Sequence, residues 1–126
     1  MVVQNGMPDI LRAIESLSPV CDEIFVVDGG SRDGTLEFLR ERASIYKLRL
    51  FERPFDTMQK QRQFLLDKTP QDSWVIALDQ DEKLSIDLER ELKSILLGIN
   101  EKELKDPARK FPFICKVAHI MLVNDL

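Results

Sequence analysis

Apolar positions along the 126-residue chain fall into short runs that alternate between two periods. Met1 to Gln4 is brief and apolar, like the tail of a buried strand, and Asn5-Gly6-Met7-Pro8 reads as a turn. Ile10, Leu11, Ile14 and Leu17 then recur at helical spacing until Ser18-Pro19. Ile24-Phe25-Val26-Val27 is continuous rather than alternating, which suits a parallel strand covered on both faces. Gly34-Thr35 opens a second helix carrying Leu36, Leu39 and Ala43, and Ile45 to Leu50 reads as a strand. A third helix runs from Thr57 to about Leu66, and Trp74 to Leu78 predicts the next strand, with Trp74 in the core. Ser85 caps a helix bearing Leu88, Leu92, Ile95 and Leu96, with Gly98 as its stop signal. Strands and helices in alternation define an α/β class with a mostly parallel sheet.

The pattern weakens beyond this point. Lys102 to Lys110, charged and containing Pro107, reads as a loop or linker. Phe111 to Leu126 is an apolar tail whose periodicity assigns neither helix nor strand. The expected organisation is an α/β region over residues 1–101, followed by a linker and tail over 102–126.

Composition narrows the function classes. The chain is 44% apolar and 32% charged, an ordinary globular balance. A net charge of −4 without a basic block argues against nucleic-acid binding. No apolar run approaches the roughly 20 residues of a membrane helix, so contact with a membrane would be peripheral. The first residues lack the pattern of a signal peptide. Cys21 and Cys115 fit no metal or redox spacing and read as isolated thiols in a reducing, cytoplasmic compartment. His119 stands alone.

Three constellations carry chemistry. Asp28-Gly29-Gly30-Ser31-Arg32-Asp33-Gly34-Thr35 follows a strand. Its glycines allow a tight turn and close ligand approach, and its carboxylate can accept hydrogen bonds from a base or a sugar hydroxyl. A plain Gly-rich turn before a helix explains the same residues. The spacing is neither GxGxxG nor a phosphate loop. The second constellation ends the run Trp74 to Leu78: Asp79 and Asp81, at i and i+2 of an extended chain, share one side while Gln80 points away. Two hard oxygen donors suit Mg²⁺ or Mn²⁺ completed by water and substrate phosphates. An EF-hand is excluded, because Leu84 and Arg90 occupy the positions of its Gly and Glu. A solvated acidic turn remains the alternative. Glu82 could position a ligand or accept a proton. The third constellation, Lys60 and Arg62 among glutamines, could reach a phosphate or could simply be a solvated helix face.

Together these stretches resemble the family 2 glycosyltransferases of the GT-A fold. The likeness rests on Asn5 after the first strand, on Asp22 to Ser31 with Asp33-Gly34-Thr35, and on Trp74 to Glu82, spanning about Val2 to Leu97. The "LDxDE" form, with Phe55-Asp56 ahead of Gln59 to Arg62, is similar to enzymes of lipopolysaccharide core and surface-glycan synthesis. The resemblance implies that Asp28 recognises a nucleotide base, with Asn5 and Gly30 beside it. It implies Asp79 near the ribose or metal, Asp81 on a Mn or Mg ion, and Arg62 on the nucleotide half. The implied activity is inverting transfer from a nucleotide-diphospho-sugar, a UDP-sugar, to a glycan or lipid-linked acceptor hydroxyl. The implied site of action is the cytoplasm or the inner face of the membrane. Gln63 stands where the family commonly has Asn. Family catalytic domains are considerably longer, so the chain reads as a truncated, donor-binding half. Two other readings stay open: a nucleotidyltransferase-like enzyme, and an inactive remnant that binds nucleotide or a partner. A homo-oligomer through the sheet edge or tail belongs with the latter.

Overall fold

The computed structural model describes the backbone of residues 1–104 and 116–119, and side chains through Leu96. In chain order the elements are β1 (Val2–Val3), α1 (Ile10–Leu17), β2 (Ile24–Asp28), α2 (Thr35–Arg42) and β3 (Leu48–Glu52). They are followed by α3 (Met58–Lys68), β4 (Ser73–Val75), α4 (Ile86–Leu104) and β5 (Lys116–His119).

The first three strands form one parallel sheet in the order β1-β2-β3. Its register pairs Val3 with Asp28 and Asp28 with Glu52, so the three strands end level at one edge. Parallel neighbours need crossover connections, which α1 and α2 supply here.

The continuous apolar run of β2 is explained by its two faces. Ile24 and Val26 join Ile10, Ile14 and Leu17 of α1 and Leu39 of α2 in the larger core. Phe25 and Val27 face the opposite way onto Leu65 of α3, with Phe51 and Phe64 closing the second core. Phe25 stacks on Phe51 at 6.3 Å, and Phe64 meets Phe51 edge-on at 5.7 Å. Each fully buried Ile, Leu or Phe contributes about 1.5–3 kcal/mol. Cys21 belongs to the larger core, where burial and then the charge of Asp22 push its thiol up to about 12. It is no nucleophile at neutral pH.

The parallel α/β class expected from the alternation is the observed one. Several boundaries differ. Lys47 takes a φ of 55° in a turn, so β3 begins at Leu48, and Ile45 is exposed rather than in a strand. β4 stops at Val75, and its three residues pair in parallel with β5 as a separate two-stranded sheet. Ile76 and Leu78 still pack against the main core, but not as a strand. Trp74, expected in the core, is 42% exposed. Gly98 does not stop α4, which continues to Leu104; an interior Gly costs about 1 kcal/mol, which a helix of several turns absorbs. Lys102 to Leu104, expected in a linker, are its last residues. Within the tail, Lys116–His119 forms β5; Cys115 and the remainder lie outside the described residues. No helix among the described residues is long and apolar enough to cross a membrane.

Candidate functional site

The carboxyl ends of β1 and β2 lie side by side, and the loops that leave them are knitted together. Asp28 ends β2 and is only 2% exposed. The Gly30 and Ser31 amides donate to its Oδ1 at 2.9 Å each, and the Ser31 hydroxyl donates to Oδ2. A carboxylate offers about four acceptor positions, so roughly one remains on Oδ2. Gly30 sits at φ 108°, a left-handed conformation that favours glycine.

Asn5, at φ 50°, closes the loops from the β1 side. Its amide donates to Ser31 Oγ at 2.9 Å, and its Oδ1 accepts from the Arg32 amide at 2.8 Å. The Gly6 amide donates to Thr35 Oγ1 at 3.0 Å, and the Met7 amide to Asp33 Oδ2 at 3.1 Å. Asp33 Oδ1 accepts from both the amide and the hydroxyl of Thr35. The Thr35 hydroxyl and these amides hold the Asp33 carboxyl below its ordinary range. The DGGSxDGT stretch is therefore a latch between the first two strand tips. Thr35 is fully buried. Thr35→Val is expected to strand the Gly6 N–H and cost about 1–3 kcal/mol, whereas Thr35→Ser retains most of the stability. Urea denaturation of the two variants checks this.

The acidic stretch has a different geometry from an extended strand end. The Glu82 amide donates to the Asp79 carbonyl at 3.1 Å, closing a turn over residues 79–82. Leu78 and Leu84 flank it and are buried in the larger core at 5% and 8% exposure. The Leu84 amide also donates to Ser16 Oγ of α1 at 3.0 Å. The turn aims Asp79, Asp81 and Glu82 so that one carboxylate oxygen of each lies within 4.8 Å of the others. Gln80 does not point away: its Oε1 accepts from the Gln4 amide at 3.0 Å, tying the acidic turn to the end of β1.

Burial, and then the negative charge of Asp81, raise the pKa of Asp79. Arg62 and a hydrogen bond with Glu82 oppose that rise. Clustered carboxylates that repel one another and present only hard oxygen donors fit a divalent cation of the Mg²⁺ or Mn²⁺ type.

Asp79 and Asp81 line a cleft of about 320 Å³ with Gln80, Gln4, Phe55 and Met58. Asp28 and Gly30 line a second pocket of about 290 Å³ with Gly29, Glu52, Arg53 and Pro54. The segment Arg53 to Phe55 borders both. It is held against β2 by the Phe55 amide, which donates to the Gly29 carbonyl at 3.1 Å. Of the expected site residues, Asp28 and Gly30 therefore line one depression and Asp79 and Asp81 its neighbour, while Asn5 and Arg62 line neither of the two. Arg62, half-buried on α3, acts electrostatically on Asp79. Lys60 is directed to Asp56 at 4.0 Å.

The periodicity reading missed Gln61, which is fully buried. Its Nε2 donates to the Arg53 carbonyl at 2.7 Å, and its Oε1 accepts from the Arg53 guanidinium at 2.8 Å. The available signal was its spacing: Gln61 stands four residues before Leu65, on the buried stripe of α3.

A parallel sheet with carboxylates gathered beyond its strand tips is the donor-binding plan of GT-A glycosyltransferases. Residues 1–96 match the family model of Glycosyl transferase family 2, and the chain belongs to that family. An uncharacterized glycosyltransferase of Rickettsia prowazekii is 29% identical over 101 residues, which is 80% of this chain and 33% of the relative. The lipopolysaccharide core biosynthesis glycosyltransferase LpsC of Rhizobium meliloti is 33% identical over 91 residues, 71% of this chain and 33% of LpsC. The chain thus spans about a third of the length of these relatives. Among solved structures, S. aureus TarS 1-349 aligns with a TM-score of 0.65 at 22% identity, covering 81% of this chain and 31% of that one. The same fragment in complex with UDP aligns at 0.62 with 22% identity, covering 81% and 32%. At that identity the likeness concerns the fold.

Proposed function

We propose that this chain forms the donor-binding part of an inverting, divalent-metal-dependent glycosyltransferase that uses a nucleotide-diphospho-sugar, in the first instance a UDP-sugar. The observation that carries the reading is the convergence of Asp79, Asp81 and Glu82, the first two of which line a cleft that neighbours the Asp28 pocket. In this assignment Asp81 and Asp79 hold a Mn or Mg ion, and Glu82 stands beside them. Asp28 offers its remaining acceptor position to the N–H edge of the base, while Asn5 and Gly30 shape the loop around it. Arg62 supports the nucleotide half from α3. A bound ion would act as a Lewis acid for the diphosphate leaving group. The chain's own residues position the donor's base and diphosphate. Inversion calls for a carboxylate that deprotonates that hydroxyl, and Glu82 is the candidate in this chain.

The printed role of LpsC in lipopolysaccharide core biosynthesis favours a glycan or lipid-linked acceptor in surface-glycan synthesis, worked on from the cytoplasmic side. Calorimetry with UDP tests the donor reading. Binding is expected with Mn²⁺ present and lost when EDTA removes it. Absence of binding by every nucleoside diphosphate tried with Mn²⁺ sinks it.

A further inference from the structure

Phe55 is 42% exposed, yet hydrogen bonds hold the chain on both sides of it. On one side Arg53 makes two hydrogen bonds across to Asp56, at 2.8 and 3.1 Å. The buried Gln61 grips Arg53 through both its backbone carbonyl and its guanidinium. On the other side Thr57 caps α3, its Oγ1 accepting from the Lys60 amide at 3.2 Å. The Phe55 amide is bound to Gly29, the residue that follows Asp28. A Cβ at position 29 would lie 3.0 Å from the Phe55 Cβ, a tight contact that would press the aromatic residue outward by a few tenths of an ångström. A rigid frame that keeps an aromatic ring wet has spent its order on exposure, which is the signature of a preorganised contact. Phe55 lines the cleft of Asp79 and Asp81, while its chain neighbours Arg53 and Pro54 line the Asp28 pocket.

We propose that Phe55 is the stacking platform for the donor's nucleobase and a determinant of nucleotide affinity. This rests on the donor reading above. A base on the ring has its N–H edge toward Asp28, while the diphosphate extends to the acidic turn. Base–aromatic stacking is sequence-tolerant, since every base has a π-face. The platform therefore supplies affinity for the nucleotide, and Asp28 supplies the choice of base.

The test compares Mn²⁺-UDP with Mn²⁺-pyrophosphate, which lacks a base, by calorimetry on the 126-residue chain. Phe55→Ala is expected to weaken UDP about tenfold and leave pyrophosphate unchanged, while Phe55→Tyr restores UDP. Equal losses of both probes, or UDP binding by Phe55→Ala that matches the parent, overturn the stacking role alone. A parent chain that binds neither probe overturns the donor reading itself. Thermal melting of Phe55→Ala at the parent's temperature confirms that the ring is not needed for the fold; a collapsed variant shifts the test to Phe55→Leu, which keeps apolar bulk without a flat face and must show the same UDP-selective loss.

Discussion

Asp81→Asn is expected to lower Mn²⁺ affinity at least about 100-fold while the metal-free protein melts at or above the parent's temperature. The two effects have one cause. Asp79, Asp81 and Glu82 crowd their oxygens within 4.8 Å, and the pKa of Asp79 is raised by burial and then by Asp81. Removing one charge removes a ligand and also removes a repulsion. The pH dependence has a definite sign. A carboxyl raised in the folded state keeps a proton that the unfolded chain has already released. The contribution of Asp79 to metal-free stability is therefore greatest below the ordinary carboxylate pKa and declines as pH rises through the raised value, a trend isolated by subtracting the profile of Asp79→Asn. Mn²⁺ competes with that proton, so its affinity climbs across the same window. Differential scanning fluorimetry with and without Mn²⁺, stepped through the acid range, measures both trends. A variant that loses stability yet keeps Mn²⁺ contradicts the assignment of the cluster.

Leu78→Ala is expected to cost about 2–5 kcal/mol, the range for deleting a buried leucine, and to weaken Mn²⁺ although no oxygen ligand is touched. Leu78 and Leu84 are the two buried pegs between which the acidic turn is strung. With one peg gone, the turn keeps its residues and loses its fixed separation of carboxylates. Ile86→Ala serves as the control: Ile86 is 67% exposed, and such a surface change stays within about 0.5 kcal/mol. Urea denaturation gives the stability difference and Mn²⁺ titration the functional one. If Leu78→Ala destabilises the protein but binds Mn²⁺ as the parent does, the anchoring role is wrong.

Strand β2 and helix α1 were legible because one rule governs each. A strand between two layers must be apolar on both faces, and Ile24 to Val27 is. Ile10, Ile14 and Leu17 lie on one side of a helix whatever that side meets. The end of Trp74 to Leu78 was not legible, because apolar character reports burial and not hydrogen bonding. Leu78 is buried as a strand residue would be, but its segment makes no ladder. Gly98 misled for the opposite reason: a local preference of about 1 kcal/mol was weighed without the rest of α4.

The candidate site divides in the same way. The sequence alone determined its chemistry, because hard oxygen donors at Asp79, Asp81 and Glu82, a Gly-rich turn at Asp28 and an arginine at position 62 are fixed by composition and order. Family membership follows from those same residues. Only the tertiary structure decided how the groups meet. The expected extended pair is a turn closed by Asp79 and Glu82, and it gathers three carboxylates instead of two. Asp28 is partly consumed by its own loop, and its pocket is separate from the acidic cleft. Phe55 lines the acidic cleft, next to a frame built by Gln61 and Arg53. The physical reason is range: side-chain type is local, whereas the distance between two carboxylates depends on where Leu78 and Leu84 are buried, and that is set by α1 and the sheet.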